Sequence, residues 1–181
     1  EIGRPLRIAD PFCGVGPALA TLLTENDLVS DLLATDLNPD AVKLLMSNLS
    51  KWDRRTYPEG AIELQRIQEN RLVGMADALT LGDDSEIAGK WDLVLGNLPH
   101  RTIEFLPAII PLLDRNSPSM IRGRAIVEES EIEQANEAIL SCLPKLMPDK
   151  PQPSLKIKRD YSSTLRLCSF QAWLSPQEET N

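Results

Sequence analysis

The chain has 181 residues, 42% of them hydrophobic and 25% charged, with a formal net charge of −8. That balance describes one folded globular domain rather than a disordered chain, and no apolar run approaches the roughly 18 residues that a membrane helix needs. Three cysteines without paired spacing, Cys13, Cys142 and Cys168, argue against a disulfide framework or a metal site and for a reducing, cytoplasmic setting.

Leu6–Asp10 is a short apolar run that ends on an acid, followed by glycines and an apolar stretch over 18–23. It reads as strand, tight loop and helix. A second strand over 32–36 again ends on an acid. Asn38 and Pro39 then suit the cap and first position of a helix that carries Val42, Leu45, Met46 and Leu49 on one face. The charged segment 50–70 is long for a connection and predicts an insertion or further helix. Strands follow over 72–76 and 91–95, then a helix over 103–113, a strand over 124–128 and a helix over 131–146. Two alternating runs, 155–158 and 164–174, close the chain as an antiparallel pair. Alternation of this kind predicts an α/β, doubly wound Rossmann-like sheet, mostly parallel, with a C-terminal antiparallel hairpin. The hairpin is unusual for a dinucleotide-binding domain and normal for the methyltransferase variant of the fold.

Asp10-Pro-Phe-Cys-Gly-Val-Gly16 sits where a strand feeds a helix, at the edge where such sheets bind ligands. Glycine there lets the backbone approach a ligand closely. A nicotinamide dinucleotide site needs a third glycine or alanine where Leu19 stands, and Pro17 occupies the start of the helix. A carboxylate at Asp10 repels pyrophosphate but suits a cofactor with an amino acid group and a sulfonium, S-adenosyl-L-methionine. Asp10, Phe12, Cys13, Gly14 and Gly16 are the candidate cofactor loop; a tight turn without a ligand is the bland alternative. Asp36 closes the second strand, the position from which an acid accepts from both ribose hydroxyls, unless it serves only as an Asx turn. Leu37 and Asn38 then edge the adenine, and Asp77 with Ala78 follows the third strand at the adenine amino group.

Asn97-Leu-Pro-His100 follows the fourth strand. Asn97 is the candidate to hold a nucleobase nitrogen or its proton, orienting it for in-line attack, and Pro99 fixes the loop. Leu98 and His100 depart from the Asn/Asp-Pro-Pro-aromatic loop of amine methyltransferases, which favours base methylation away from an exocyclic amine. His100, the single histidine, is more often a helix cap than an acid–base group, and Glu104 fits a stabiliser of the helix start.

The segments Asp10-Pro-Phe-Cys-Gly-Val-Gly-Pro17, Asp36-Leu-Asn-Pro-Asp-Ala-Val42 and Asn97-Leu-Pro-His-Arg-Thr-Ile-Glu-Phe-Leu106 together resemble one family. It is the archaeal and eukaryotic tRNA guanine-N1 methyltransferases, with relatives in wybutosine synthesis that transfer an aminocarboxypropyl group from the same cofactor. Arg159-Asp-Tyr-Ser-Ser163 is similar to that family's C-terminal hairpin. The resemblance implies a catalytic domain over 1–181 that lacks the family's N-terminal RNA-recognition domains. It also implies a tRNA substrate reached through those domains, a monomer without a membrane partner, and a general base supplied from outside this segment. Methyl transfer and aminocarboxypropyl transfer are not separable on these motifs. An inactive cofactor-binding domain is the alternative class, against which intact Asp10, Gly14, Gly16, Asp36 and Asn97 speak.

An acidic domain repels phosphate backbones unless its cations gather on one face. Arg54, Arg55, Arg66, Arg71, Lys156, Lys158, Arg159 and Arg166 are the candidates for local basic patches.

Overall fold

Eight strands form one sheet in the order β3-β4-β2-β1-β5-β6-β8-β7. They are β1 (Leu6–Asp10), β2 (Val29–Asp36), β3 (Gln65–Ile67), β4 (Arg71–Met75), β5 (Leu93–Gly96), β6 (Ser119–Glu128), β7 (Lys156–Asp160) and β8 (Leu165–Leu174). The structure, a computed structural model, describes residues 3–25 and 28–176. Residues 1–2, 26–27 and 177–181, which the expected domain includes, lie outside the described residues. Strands β4, β2, β1, β5 and β6 run parallel, whereas β3, β8 and β7 are each antiparallel to the neighbour they join. The mostly parallel sheet with a closing antiparallel pair is the fold expected from the sequence.

Helices α1 (Pro17–Thr24), α2 (Pro39–Trp52), α3 (Thr102–Ile109) and α4 (Ile132–Cys142) cover the sheet. Successive strand residues point to opposite faces, so each strand feeds two cores. Ile8 and Leu32 join Leu19, Leu45 and Leu49 of α1 and α2. Ala9 and Leu33 join Leu106 of α3 and Ile139 of α4 on the other face. The central strands are therefore apolar throughout, the pattern of a parallel sheet buried on both sides.

Several elements differ from the sequence expectation. Segment 50–70 finishes α2 and then adds β3 as an antiparallel edge on β4. It is anchored by Asp53, which accepts from Arg71 at 2.8 and 3.0 Å and from the Tyr57 hydroxyl at 2.5 Å. The predicted helix over 103–113 ends at Ile109 and tightens into a 3-10 turn over Ile110–Leu112, because Pro107 and Pro111 each withdraw an amide from the helical ladder. Helix α4 stops at Cys142, since Leu143 precedes Pro144 and takes an extended conformation. Strand β6 starts at Ser119, five residues before the expected 124.

At the amino-terminal edge of the sheet, Asp92 is buried and receives Arg4 at 2.8 Å, Arg7 at 2.5 Å and the Arg7 amide at 2.9 Å. Burial alone would raise this carboxyl, but the Arg7 and Arg4 hydrogen bonds outweigh it and hold the pKa at about 2. The cluster pins β1 to β5 at the edge opposite the candidate site. All three cysteines are free thiols. Among the described residues no helix is long and apolar enough to cross a membrane, and no cluster of His, Cys, Asp or Glu is set to hold a metal.

Candidate active site

The carboxyl ends of β4, β2, β1 and β5 deliver Met75, Asp36, Asp10 and Gly96 to one edge. The chain reverses its direction of travel across the sheet between β1 and β5, the crevice where open α/β sheets take ligands. Asp10, Phe12, Gly14, Gly16, Asp36, Leu37, Asn38, Asp77, Ala78, Asn97 and Pro99 all lie on the ends or following loops of these strands.

The loop after β1 is held from several sides. The Cys13 amide donates to Thr35 O at 3.0 Å, and the Gly16 amide to Cys13 O at 2.8 Å. The Gly14 amide donates to the Asp36 carboxylate at 2.8 Å, and Asn48 of α2 donates to Val15 O at 2.9 Å. Gly16 caps α1 at φ +87°, where an added Cβ would lie 2.8 Å from Leu45 Cδ1; a side chain there is excluded by both conformation and packing. Gly14, at φ +55°, opens onto empty space instead, with no atom within 4 Å of where its Cβ would stand. One glycine serves helix packing and the other leaves a cradle. Phe12 meets Phe105 of α3 edge to face at 5.3 Å, which ties the loop to the opposite side of the crevice.

The two strand-ending acids have different surroundings. Asp36 is half-buried, and its oxygens accept from the amides of Gly14 at 2.8 Å and Asn38 at 2.9 Å. Each oxygen accepts one of these bonds and so keeps further acceptor capacity. Asp10 is fully buried and neither oxygen has a hydrogen-bond partner. Burial pushes its pKa up to about 7; the dipole of the Phe12 amide, which does not reach hydrogen-bonding geometry, offsets part of this, and the Asp36 charge adds to it. Cys13 is buried in the core below α1 and α2, where burial pushes its thiol well up. Its part in the loop is made through the backbone.

Leu37 is 64% exposed at the rim beside Asn38. The Asn38 side chain caps α2 by accepting from Asp40 N at 3.0 Å, as its sequence context predicts. Asp77 closes an Asx turn with Leu79 N at 3.0 Å, so its turn role is present whether or not it meets a ligand.

On the far side, Thr102 is fully buried; its hydroxyl donates to Gly96 O at 3.2 Å and accepts from Leu98 N at 3.1 Å. Pro99 O accepts from Ile126 N of β6 at 2.8 Å. Asn97 is thereby held on a loop braced from both flanks. His100 does not cap α3: its Nε2 lies 3.3 Å from the hydroxyl of Tyr161 in the β7–β8 turn, and the α3 N-cap is Arg101 without a side-chain bond. Glu104, in the first turn of α3, pairs with Arg101 at 2.5 Å, in keeping with a helix-start role.

Asn48, Thr102 and Tyr161 carry no local signal of these roles, because each acts on a loop distant in sequence. The expected basic patches are also revised. Arg71 is buried against Asp53, and Arg55 shares the same carboxylate. Arg166 is taken by Glu129 and Asp160. A cavity of about 170 Å³ beside Arg54, Arg55 and Arg71 lies at the opposite edge of the sheet, away from the candidate site.

No protein-family model matches the chain, and no curated protein matches it in sequence. Solved structures do match in shape. TYW2 of M. jannaschii, crystallised in complex with AdoMet, superposes with a TM-score of 0.68 at 18% identity, over 96% of this chain and 70% of that one. The tRNA m1G37 methyltransferase of M. jannaschii gives 0.67 at 16% identity, over 97% of this chain and 46% of that one. The chain thus spans under half the length of that methyltransferase. The [4+2]-cyclase SpnF gives 0.67 at 9% identity, over 96% of this chain and 76% of that one. The first two belong to the two groups that the sequence motifs resemble. At these identities the comparison establishes the Rossmann-like methyltransferase fold, and the cyclase demonstrates that this fold alone does not name a reaction.

Proposed function

We propose that this chain is an S-adenosyl-L-methionine-dependent transferase domain that methylates a guanine ring nitrogen of tRNA. The observation that carries the proposal is the Asp36–Gly14 contact of 2.8 Å beside the open space at Gly14. It fixes a carboxylate with free lone pairs at the end of β2, beside a bare stretch of backbone at the switch point.

The residues fit the cofactor. Asp36 accepts from the ribose hydroxyls, Leu37 and Ala78 border the adenine, and Asp77 faces its amino group. Gly14 and Gly16 pass the chain close to the remainder of the molecule. Asp10, an uncompensated buried carboxyl beneath the loop, favours a cationic ligand over a neutral one through the low-dielectric interior. When bound, the cofactor supplies an electrophilic methyl group on its sulfonium. Asn97, held by Thr102 and Pro99, orients the base nitrogen toward that group. The m1G37 activity named for the second neighbour, together with the Asn97-Leu-Pro99 motif, supports guanine as the target.

Aminocarboxypropyl transfer is the second reading, favoured by the TYW2 match, whose TM-score equals that of the methyltransferase within 0.01. Calorimetry with S-adenosylmethionine tests the cofactor assignment. Asp36→Ala is expected to weaken binding by about 1–3 kcal/mol through loss of charge-assisted hydrogen bonds. Absence of binding to the unmodified chain would sink the proposal. Mass spectrometry of tRNA incubated with the protein separates the gain of a methyl group from the heavier aminocarboxypropyl addition.

A further inference from the structure

The sheet face that packs on α1 and α2 continues past those helices over β6, β8 and β7. Register sets Arg122 opposite Gln171, Arg124 and Lys156 on either side of Ser169, and Arg159 opposite Leu167. Arg122, Arg124, Lys156 and Arg159 therefore share this face, and all four are exposed. Lys158, at the irregularity in β7, adds a fifth cation beside them. With strands 4.7–4.9 Å apart and residues i and i+2 about 7 Å apart, Arg124 and Lys156 stand about 10 Å from one another and Arg122 one step along.

None of these five cations makes an ion pair among the described residues. Glu128, at the far end of β6, is the acid on the same strand face, while Glu129 and Asp160 are engaged by Arg166, at 2.5 and 3.4 Å. In a chain with 27 acids and 19 Lys and Arg residues, a cluster of unpaired cations on one flat face is a selective arrangement. Lysines on β7 alone would be explained as protection of an edge strand. That explanation fails for Arg122 and Arg124, because β6 is an interior strand paired on both sides. The patch also leads to the candidate site: β7 runs from Lys156 through Arg159 to Tyr161, which touches His100 of the Asn97 loop.

We infer that this face holds the phosphodiester backbone of the RNA whose base reaches Asn97. The inference rests on the function proposed above and identifies where its substrate docks. Binding of a fluorescent tRNA transcript to the purified chain, followed by anisotropy across a salt series, tests it. Arg122→Ala/Arg124→Ala is expected to weaken binding about tenfold and to lower the slope of log affinity against log salt by about 1.4–1.8, two contacts at about 0.7–0.9 each. Lys156→Ala/Arg159→Ala should act alike, as an independent pair on the other flank. Lys43→Ala/Lys51→Ala makes the same charge change on α2 and should stay within about twofold of the parent. Equal losses in all three variants, or none in the first two, would overturn the inference. So would a chain that ignores tRNA but binds phosphatidylserine vesicles. S-adenosylmethionine calorimetry on the same preparations separates the two levels: cofactor bound without RNA effect refutes the docking face alone, and no cofactor binding refutes the function beneath it.

Discussion

Asp10→Asn isolates the physical consequence of a carboxyl buried without partners. Its folded-state pKa is raised from 3.8 to about 7, chiefly by burial. Each unit corresponds to about 1.36 kcal/mol, so ionised Asp10 costs the folded ligand-free protein on the order of 4 kcal/mol. The sign follows from proton counts. Below about pH 4 the group is protonated in both states and costs nothing. Between about 4 and 7 the folded state keeps a proton that the unfolded chain has released, so stability falls as pH rises. Above 7 the penalty is constant. Asparagine has the same shape and cannot ionise, although its buried amide still lacks partners and forfeits part of the gain. The variant should therefore be about 2 kcal/mol more stable than the parent at pH 8, or about 4–8 °C higher in Tm for a chain of this size. At pH 4 it should show no advantage. Thermal denaturation without ligand at the two pH values measures this directly. A Tm difference independent of pH, or a less stable variant at pH 8, would refute the account of Asp10. The same substitution should weaken S-adenosylmethionine, which is cationic, more than neutral adenosine.

Asp92→Ala removes the common partner of Arg4 and Arg7; both guanidiniums reach solvent and Arg7 keeps Asp114 at 2.6 Å, so the substitution should destabilise by about 1–3 kcal/mol, read from the urea midpoint. Because Asp92 is held at about 2 in the folded state, its contribution is present above about pH 4 and lost as pH falls from there toward 2; an acid-unfolding curve unchanged by the substitution would contradict this. Thr102→Val leaves the Gly96 carbonyl and Leu98 amide without their hydroxyl partner, at a cost of about 1–3 kcal/mol. It should lower kcat on tRNA while leaving cofactor affinity within about twofold, since Thr102 positions Asn97 and lies on no cofactor-facing strand end. Unchanged kcat with reduced stability would leave Thr102 a purely structural residue.

What the sequence disclosed was what neighbouring residues decide among themselves. A strand ending on Asp10, glycines that relax φ, an Asn38 cap before Pro39 and the alternation of β8 all have signals within one turn or one strand. β3 escaped because its three residues become a strand only by pairing with β4. The first half of β6 escaped for a related reason: Arg122 looks like a loop charge until Ile121 and Gly123 are seen buried on either side of it. Gly123 is needed there because an added Cβ would fall 2.3 Å from the Phe170 ring of β8, a contact no local pattern foretells. His100 read as a cap because nothing near it in sequence names Tyr161, 61 residues away. Arg71 read as a surface charge because its partner Asp53 lies across an insertion.

Asp10 and Asp36 read identically in the sequence, each an acid closing an apolar strand before a loop. The fold divides their work. Asp36 receives two backbone amides at 2.8 and 2.9 Å, so its charge is compensated before any ligand arrives, and it is preorganised to accept from hydroxyls without rearrangement. Asp10 receives none, so its charge is expensive until a positive group approaches. On the proposed assignment, a neutral nucleoside would gain from the first acid only, whereas a sulfonium-bearing cofactor would gain from both. Discrimination between adenosine and S-adenosylmethionine would then arise from the burial of a residue that need not touch either one.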